Sequence, residues 1–393
     1  MYIPATHLCL VHDAVIANLT PALDPNFKPG EVILLHGPGA EAQVGAVEAT
    51  LQTAGIAALR WPVRDGWDID HLRERVLELL ASREQSDIAL NASGGTRAMS
   101  IAAYEIFYEL GKPVFYVHPE TDHVTWIHRR DLPAFDLADR IKLGAFFQAH
   151  GALLESQGER DGVSARLRKL TAELIELADT LARPLAALNW LARQAEGTLR
   201  SPALSEAQRH WPELNALIAR FGAEDLCLLE RGQLVFADEA ARFFVNGGWL
   251  EAHTYGVIYG LRAELPKIQD LGRGLAIARG GDSGPVRNEL DVAFLCDNRL
   301  YIIECKTKRY GAEQDVGMIQ GADTPGADTL YKLEVLKDLL GGAPTRAMLV
   351  SYHELSRWDS QRARDLGVAL CTGKDLPRLA ERVRRWIGGS SNA

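Results

Sequence analysis

The segment Asn288–Lys306 constrains this chain more than any other. Two mostly apolar runs, 290–296 and 300–303, flank the turn-forming pair Asp297-Asn298. That pattern predicts a β-hairpin. With a two-residue turn, Asp291 falls opposite Glu304, and Lys306 lies two residues on, on the same face. Opposed Cβ atoms stand about 4.5–5.5 Å apart, so the two carboxylates can share one cation. Two carboxylates and a lysine on one face of an apolar hairpin are costly to bury uncompensated. An ion pair at a sheet edge is one outlet; a divalent metal is the other.

Carboxylates select Mg²⁺ or Mn²⁺, hard cations that prefer oxygen. Such a metal acidifies bound water and neutralises charge on a scissile phosphate. Lys306 is suited to orient that water or stabilise the transition state. The Cys305 carbonyl can add a ligand, with its thiol expected on the opposite face beside Ile303 and Tyr301. Upstream, Phe243–Glu251 reads as an apolar segment, a glycine break at Gly247-Gly248 and a helix bearing Glu251. Glu251 is either a further ligand to metal or water, or a solvated helix glutamate. Glu289 shares strand parity with Asp291 and is a more peripheral candidate.

These residues resemble the core of PD-(D/E)xK, restriction-endonuclease-like nucleases, with Leu290 where the family nominally has proline. The resemblance spans about 237–393. It implies a metal-dependent endonuclease, with Asp291, Glu304 and Cys305 at the metal and Asp291, Glu304, Lys306 and Glu251 in catalysis.

The first 120 residues alternate strand and helix. Strands are expected at Leu8–Val11, Val32–His36, Ala57–Pro62, Asp87–Ala92, Pro113–Val117 and His123–His128. Helices are expected at Ile16–Leu23, Ala40–Ala54, Ile69–Leu80 and Ala98–Leu110. This order argues for a parallel sheet covered on both faces. The loop Asn91–Met99 leaves a strand and enters a helix through Gly94-Gly95-Thr96-Arg97. Its glycines permit close backbone approach, Ser93 and Thr96 can cap the helix, and free N–H groups there favour phosphate. A plain strand-to-helix turn that needs glycine is the simpler alternative. The loop is neither a P-loop nor G-x-G-x-x-G, so mononucleotide hydrolysis and NAD binding find no support. The loop after the first strand, His12, Asp13 and on to Asn18, borders the same crevice.

Gly94-Gly95-Thr96-Arg97 resembles the signature of CARF domains, Rossmann-like sensors of cyclic oligoadenylates in type III CRISPR immunity. Leu10–Leu19 resembles their first loop more loosely. The resemblance covers about residues 1–148. It implies that Ser93, Gly94, Gly95, Thr96 and Arg97 cradle the ligand, with His12, Asp13 and Asn18 beside them.

Residues 149–236 read as a helical connector. A polar stretch at 157–162 precedes a helix over Ser164–Leu181, striped by Leu167, Leu170, Leu174, Leu177 and Leu181, and a second helix over Pro184–Ala195. Such a stripe is core or dimer interface. Leu226–Leu229 and Leu234–Phe236 suggest a small hairpin. After the catalytic hairpin, Lys308–Pro325 is expected to be a mobile loop beside the site. Asp328–Leu340 is expected to be a helix whose Tyr331 and Lys332 face substrate or solvent. Arg346 and His353 have the R-x6-H spacing of another CRISPR-linked ribonuclease, but they fall on a predicted strand, which excludes that motif.

The net charge of −9 argues against nonspecific nucleic-acid binding by the whole surface. The basic run Arg378, Arg382, Arg384 and Arg385 reads as a solvated helix face. Five cysteines without a C-x-x-C read as reduced core thiols of a cytoplasmic protein. No signal peptide or membrane span is expected.

The expected architecture is α/β: a Rossmann-like N-terminal domain, a helical connector and a restriction-endonuclease-like C-terminal domain. Together the halves resemble CARF–nuclease effectors of type III CRISPR systems. The resemblance implies a homodimer whose two-fold pocket matches cyclic tetra-adenylate, and whose ligand shifts the nuclease pair to an active state. The substrate stays open among single-stranded DNA, RNA and supercoiled duplex DNA. Two other functions stay open: a ligand-binding regulator with a non-catalytic nuclease fold, and a ring nuclease that degrades the messenger.

Overall fold

The computed structural model describes residues 2–12, 15–83, 85–119, 121–280, 284–308, 325–342 and 344–389. The N-terminal domain runs β1 (Thr6–Val11), α1 (Ile16–Leu23), β2 (Glu31–His36), α2 (Glu41–Thr53), β3 (Ala57–Pro62), α3 (Ile69–Ala81), β4 (Ile88–Asn91), α4 (Arg97–Glu109), β5 (Val114–Val117), β6 (His123–His128), β7 (Phe135–Asp136) and α5 (Leu143–Ala149). Its seven strands lie in the order β3-β2-β1-β4-β5-β6-β7. β1 to β5 are parallel, while β6 and β7 are antiparallel. Alternation along β1 explains the two covered faces: Leu8 and Leu10 pack with α3 and α4, Cys9 and Val11 with α1 and α2.

The connector departs from expectation at two places. Ala152–Ser156 forms β8, which pairs with the nuclease sheet rather than belonging to a purely helical segment. The helix expected over Ser164–Leu181 is two: α6 (Ala165–Glu176) and α7 (Ala178–Gln194). The break falls at Leu177, whose φ −96° and ψ 17° lie in the bridge region, and α7 then runs through Pro184. α8 (Glu206–Arg209) and α9 (Pro212–Gly222) lead to β9 (Cys227–Glu230) and β10 (Gln233–Phe236). That hairpin turns through Arg231 and Gly232, both at positive φ.

The C-terminal part comprises α10 (Glu239–Phe243), α11 (Trp249–Leu261), β11 (Ile268–Arg279), β12 (Val286–Cys296), β13 (Arg299–Lys306), α12 (Pro325–Gly341), β14 (Arg346–Ser351), α13 (Arg357–Asp365), β15 (Val368–Thr372) and α14 (Leu379–Ile387). Its sheet order is β15-β14-β13-β12-β11-β8. One face packs on α6, α7, α9 and α11 of the larger core. The other packs on α12 and on Phe146 and Phe147 of α5, so both halves of the chain share one core. Among the described residues no helix is long and apolar enough to cross a membrane, and all five cysteines are free and buried.

Candidate active site

β12 and β13 form the expected hairpin, turning through Asp297 and Asn298 at φ 55° and 53°. Both values match a type I′ turn, whose twist suits paired strands. The register runs from Cys296–Arg299 to Val292–Ile303. Val292 and Phe294 face one core, whereas Leu290 faces the other, so the pleat reverses at Asp291. Gly274, on the neighbouring strand, takes φ 62° at the same level. The Asp291 carboxylate accepts the Cys305 backbone N–H at 2.7 Å. A ladder irregularity thus turns a carboxylate towards the last residues of β13.

Glu304 is 3% exposed. Its carboxylate accepts from Lys306. It also meets Lys332 of α12, whose Nζ lies 3.2 and 3.3 Å from its two oxygens. Lys332 is therefore part of the site, and helical periodicity alone does not reveal which carboxylate it meets. Cys305 turns its thiol towards α11, 3.5 Å from the Thr254 hydroxyl, in the same core as Ile303 and Tyr301.

Burial, then the neighbouring Glu304 charge, pushes the Asp291 carboxyl up to about 7; Lys306, the Cys305 N–H and Lys332 oppose the rise. Burial followed by Asp291 and Glu289 pushes Glu251, on the first turn of α11, up to about 9. Glu251 thus borders Asp291 and exposed Glu289. Among the described residues no three His, Cys, Asp or Glu side chains assemble as a ready cation cage. The hairpin offers a pair of carboxylates, mutually repelling when both are charged, and the Cys305 carbonyl. That oxygen-only donor set fits a hard divalent cation.

The glycine break before Glu251 is a single π-turn over 244–248. Gly247 takes φ 113°, and a Cβ there would stand 2.2 Å from the Thr307 hydroxyl oxygen. Only glycine lets this turn close on the end of β13. The turn also seats Trp249, fully buried and edge-on to Tyr352 with ring centroids 5.3 Å apart.

At the carboxyl ends of the N-terminal strands, the Gly94-Gly95 loop lies hard against β1. A Cβ on Gly94 would meet the Leu10 carbonyl at 2.3 Å, and Gly95 takes φ 78°. Asn18 is fully buried and donates to the Leu10 carbonyl at 2.9 Å. The Asn91 amide nitrogen donates to the Ala17 carbonyl at 2.7 Å. The Ser93 hydroxyl donates to Asn91 at 2.6 Å and accepts the Val117 N–H at 2.7 Å. Thr96 caps α4 through the Met99 N–H and donates to the Gly66 carbonyl at 2.7 Å. The side chains of Asn18, Ser93 and Thr96 thus shape the crevice, leaving exposed Arg97 and half-buried His12 along it. Asp13 lies outside the described residues. Trp67, 68% exposed and next to the bonded Gly66, stands beside this loop and carried no signal in the sequence. Arg346 opens β14 and His353 follows its end, so that pair is not on a helix.

A Rossmann-like domain with a close-packed glycine loop, joined to a hairpin bearing Asp291, Glu304 and Lys306, defines a ligand-binding domain fused to a nuclease domain. Residues 6–144 match the family described as the Card1 CARF domain, and residues 238–389 match the Card1-like endonuclease domain. The structure of protein VC1899 from Vibrio cholerae is 31% identical, with a TM-score of 0.87 and 98% of each chain covered. The chain belongs to the Card1-like family of CARF-domain endonucleases. Its fold is also that of Can2 from Sulfobacillus thermosulfidooxidans, solved in complex with cyclic tetra-adenylate, at 23% identity, TM-score 0.79 and 99% coverage of each chain. A type III CRISPR defence DNA nuclease activated by cyclic oligoadenylate is similar in fold at 19% identity and TM-score 0.52, covering 89% of this chain and 45% of that one. No curated protein matches the sequence.

Proposed function

We propose that this chain is a type III CRISPR effector: a nuclease that hydrolyses phosphodiester bonds when cyclic tetra-adenylate occupies its CARF crevice. One observation carries the reading. The Gly94–Arg97 loop and the Asp291, Glu304 and Lys306 set occur in one chain, and the tip of the catalytic hairpin rests on the CARF domain. The Asn298 amide donates to Asp122. Can2 was solved with cyclic tetra-adenylate, and that ring is therefore the first activator to test.

Asp291, Glu304 and the Cys305 carbonyl would hold Mg²⁺ or Mn²⁺, which supplies an acidified water and charge neutralisation at the phosphate. Lys306, braced on Glu304, keeps a cation beside the reacting phosphate. Lys332 adds a second positive group above the same carboxylate. Glu251, holding its proton at neutral pH, serves as an auxiliary acid next to Asp291. In the CARF domain, backbone N–H groups at the start of α4 and the Arg97 side chain meet the ligand's phosphates, with His12 and Asn18 on the β1 side of the crevice. A cyclic tetranucleotide matches a two-fold pocket, so the active species is a homodimer. Its substrates are single-stranded DNA, RNA or supercoiled duplex DNA, in the cytoplasm.

Calorimetric titration of the full chain with cyclic tri-, tetra- and hexa-adenylate tests the sensor half. Stoichiometric binding of one ring per two chains, lost in Arg97→Ala, is expected. Failure of all three rings to bind would remove the sensor function.

A further inference from the structure

The connector, which neither family match covers, reaches the mouth of the nuclease site. Asn189 of α7 is 4% exposed. Its amide donates to the Val245 carbonyl at 3.0 Å and the Leu185 carbonyl at 3.3 Å, and its oxygen accepts from the Thr307 hydroxyl at 3.2 Å. Thr307 follows Lys306 directly and is also the residue against which Gly247 closes. One buried asparagine therefore ties the connector helix, the π-turn and the end of β13 together.

Two cations flank that tie. Arg193 lies one helical turn beyond Asn189, on the same face of α7. Lys308 follows Thr307. Both are exposed, and among the described residues neither has a carboxylate partner. Burial, then the charges of Arg193 and Lys306, hold the Lys308 ammonium below its ordinary value. Like charges gathered at the rim of a nuclease site, in a chain of net charge −9, call for an anionic partner. A phosphodiester backbone has the matching charge, and an exposed guanidinium is well shaped to grip phosphate oxygens.

We propose that Arg193 of the connector and Lys308 form a phosphate-binding subsite that holds the substrate's sugar–phosphate backbone beside the catalytic hairpin. The subsite rests on the nuclease function proposed above. It makes the connector part of the substrate channel, so the segment between the two domains grips the strand that the hairpin cuts.

The test uses the full chain with cyclic tetra-adenylate and Mn²⁺. Binding of fluorescein-labelled single-stranded DNA and RNA to Glu304→Ala is followed by anisotropy across salt concentrations, adding Arg193→Ala, Lys308→Ala or both. Each substitution is expected to weaken binding about 5- to 10-fold and to flatten the slope of log affinity against log salt by about 0.7. With Glu304 intact, each raises KM and leaves kcat unchanged. Arg193→Lys restores most of the affinity, and Lys169→Ala, on exposed connector surface, changes nothing. Unchanged affinity and salt slope in the double variant, with cleavage by the parent chain intact, would overturn the subsite alone. A parent chain that cleaves no nucleic acid would remove the nuclease function and the subsite with it.

Discussion

The Asn298 side chain, at the turn between β12 and β13, donates to the Asp122 carboxylate of the CARF domain. Gln269 locks the same asparagine from the other side: the Asn298 oxygen accepts from Gln269 at 2.6 Å, and its backbone N–H donates back at 3.0 Å. The Thr20 hydroxyl of α1 reaches Asp122 at 3.4 Å, and Asn18 of the same helix is bonded to the Leu10 carbonyl beside the Gly94-Gly95 loop. A short line of polar contacts therefore joins the crevice wall to the strands carrying Asp291 and Glu304.

Asn298→Ala removes that joint, leaving Asp122 with Thr20 alone and Gln269 with the Ile141 carbonyl and the residue-298 backbone N–H. Ligand affinity should stay within twofold, while the ligand-stimulated rate falls about tenfold. Parallel calorimetry and cleavage assays check this. Equal loss of affinity and rate would mean general destabilisation instead of lost coupling.

The joint should also respond to pH. Burial is the largest cause pushing Asp122 up to about 7 and Asp139 up to about 6; nearby acidic charges add to both. Because both carboxyls hold protons more tightly when folded, their stabilisation is complete below about pH 4, where an unfolded chain is also protonated. It is lost as pH rises through 6 and 7. Melting followed from pH 5 to pH 8 should show a falling midpoint. Asp122→Asn, which keeps an acceptor and tolerates the φ of 54° at this position, should flatten that fall and raise the midpoint at pH 8 by a few degrees. A midpoint equally pH-dependent in this variant would exclude Asp122 as the cause.

Gly247→Ala is expected to cost about 2–4 kcal/mol, from positive-φ strain and from overlap with Thr307. Denaturant unfolding measures it. Because the turn seats Trp249 and Glu251, activity should fall further than stability.

Trp67→Ala should weaken cyclic tetra-adenylate binding about tenfold and leave the melting midpoint unchanged, since the ring is exposed and an adenine stacks well on indole. Loss of tryptophan fluorescence quenching on ligand addition would accompany it.

Much of this was legible in the sequence because the determinants are local. The pair Asp297-Asn298 sets the hairpin register, so Glu304 and Lys306 are placed by counting, and the glycines of Gly94-Gly95 mark a loop pressed on β1. What stayed hidden depends on contacts distant in sequence. Lys332 reads as an ordinary helix lysine until α12 packs over Glu304, and Asn189 reads as an ordinary polar residue of the second connector helix until Thr307 meets it. β8 is short and lies beside a polar stretch, and it becomes a strand because β11 offers an edge. Pro184 suggests a helix start, yet the break falls at Leu177.

The most direct measurement is cleavage of supercoiled plasmid, single-stranded DNA and single-stranded RNA with Mn²⁺, with and without cyclic tetra-adenylate, by the parent chain and Glu304→Ala. Cleavage that requires both the ring and Glu304 is expected, with a rate at least 10²-fold above the ring-free chain, on the order of a 3 kcal/mol bias or more. Cleavage that survives Glu304→Ala, or that proceeds equally without the ring, would contradict a ligand-gated nuclease centred on this hairpin.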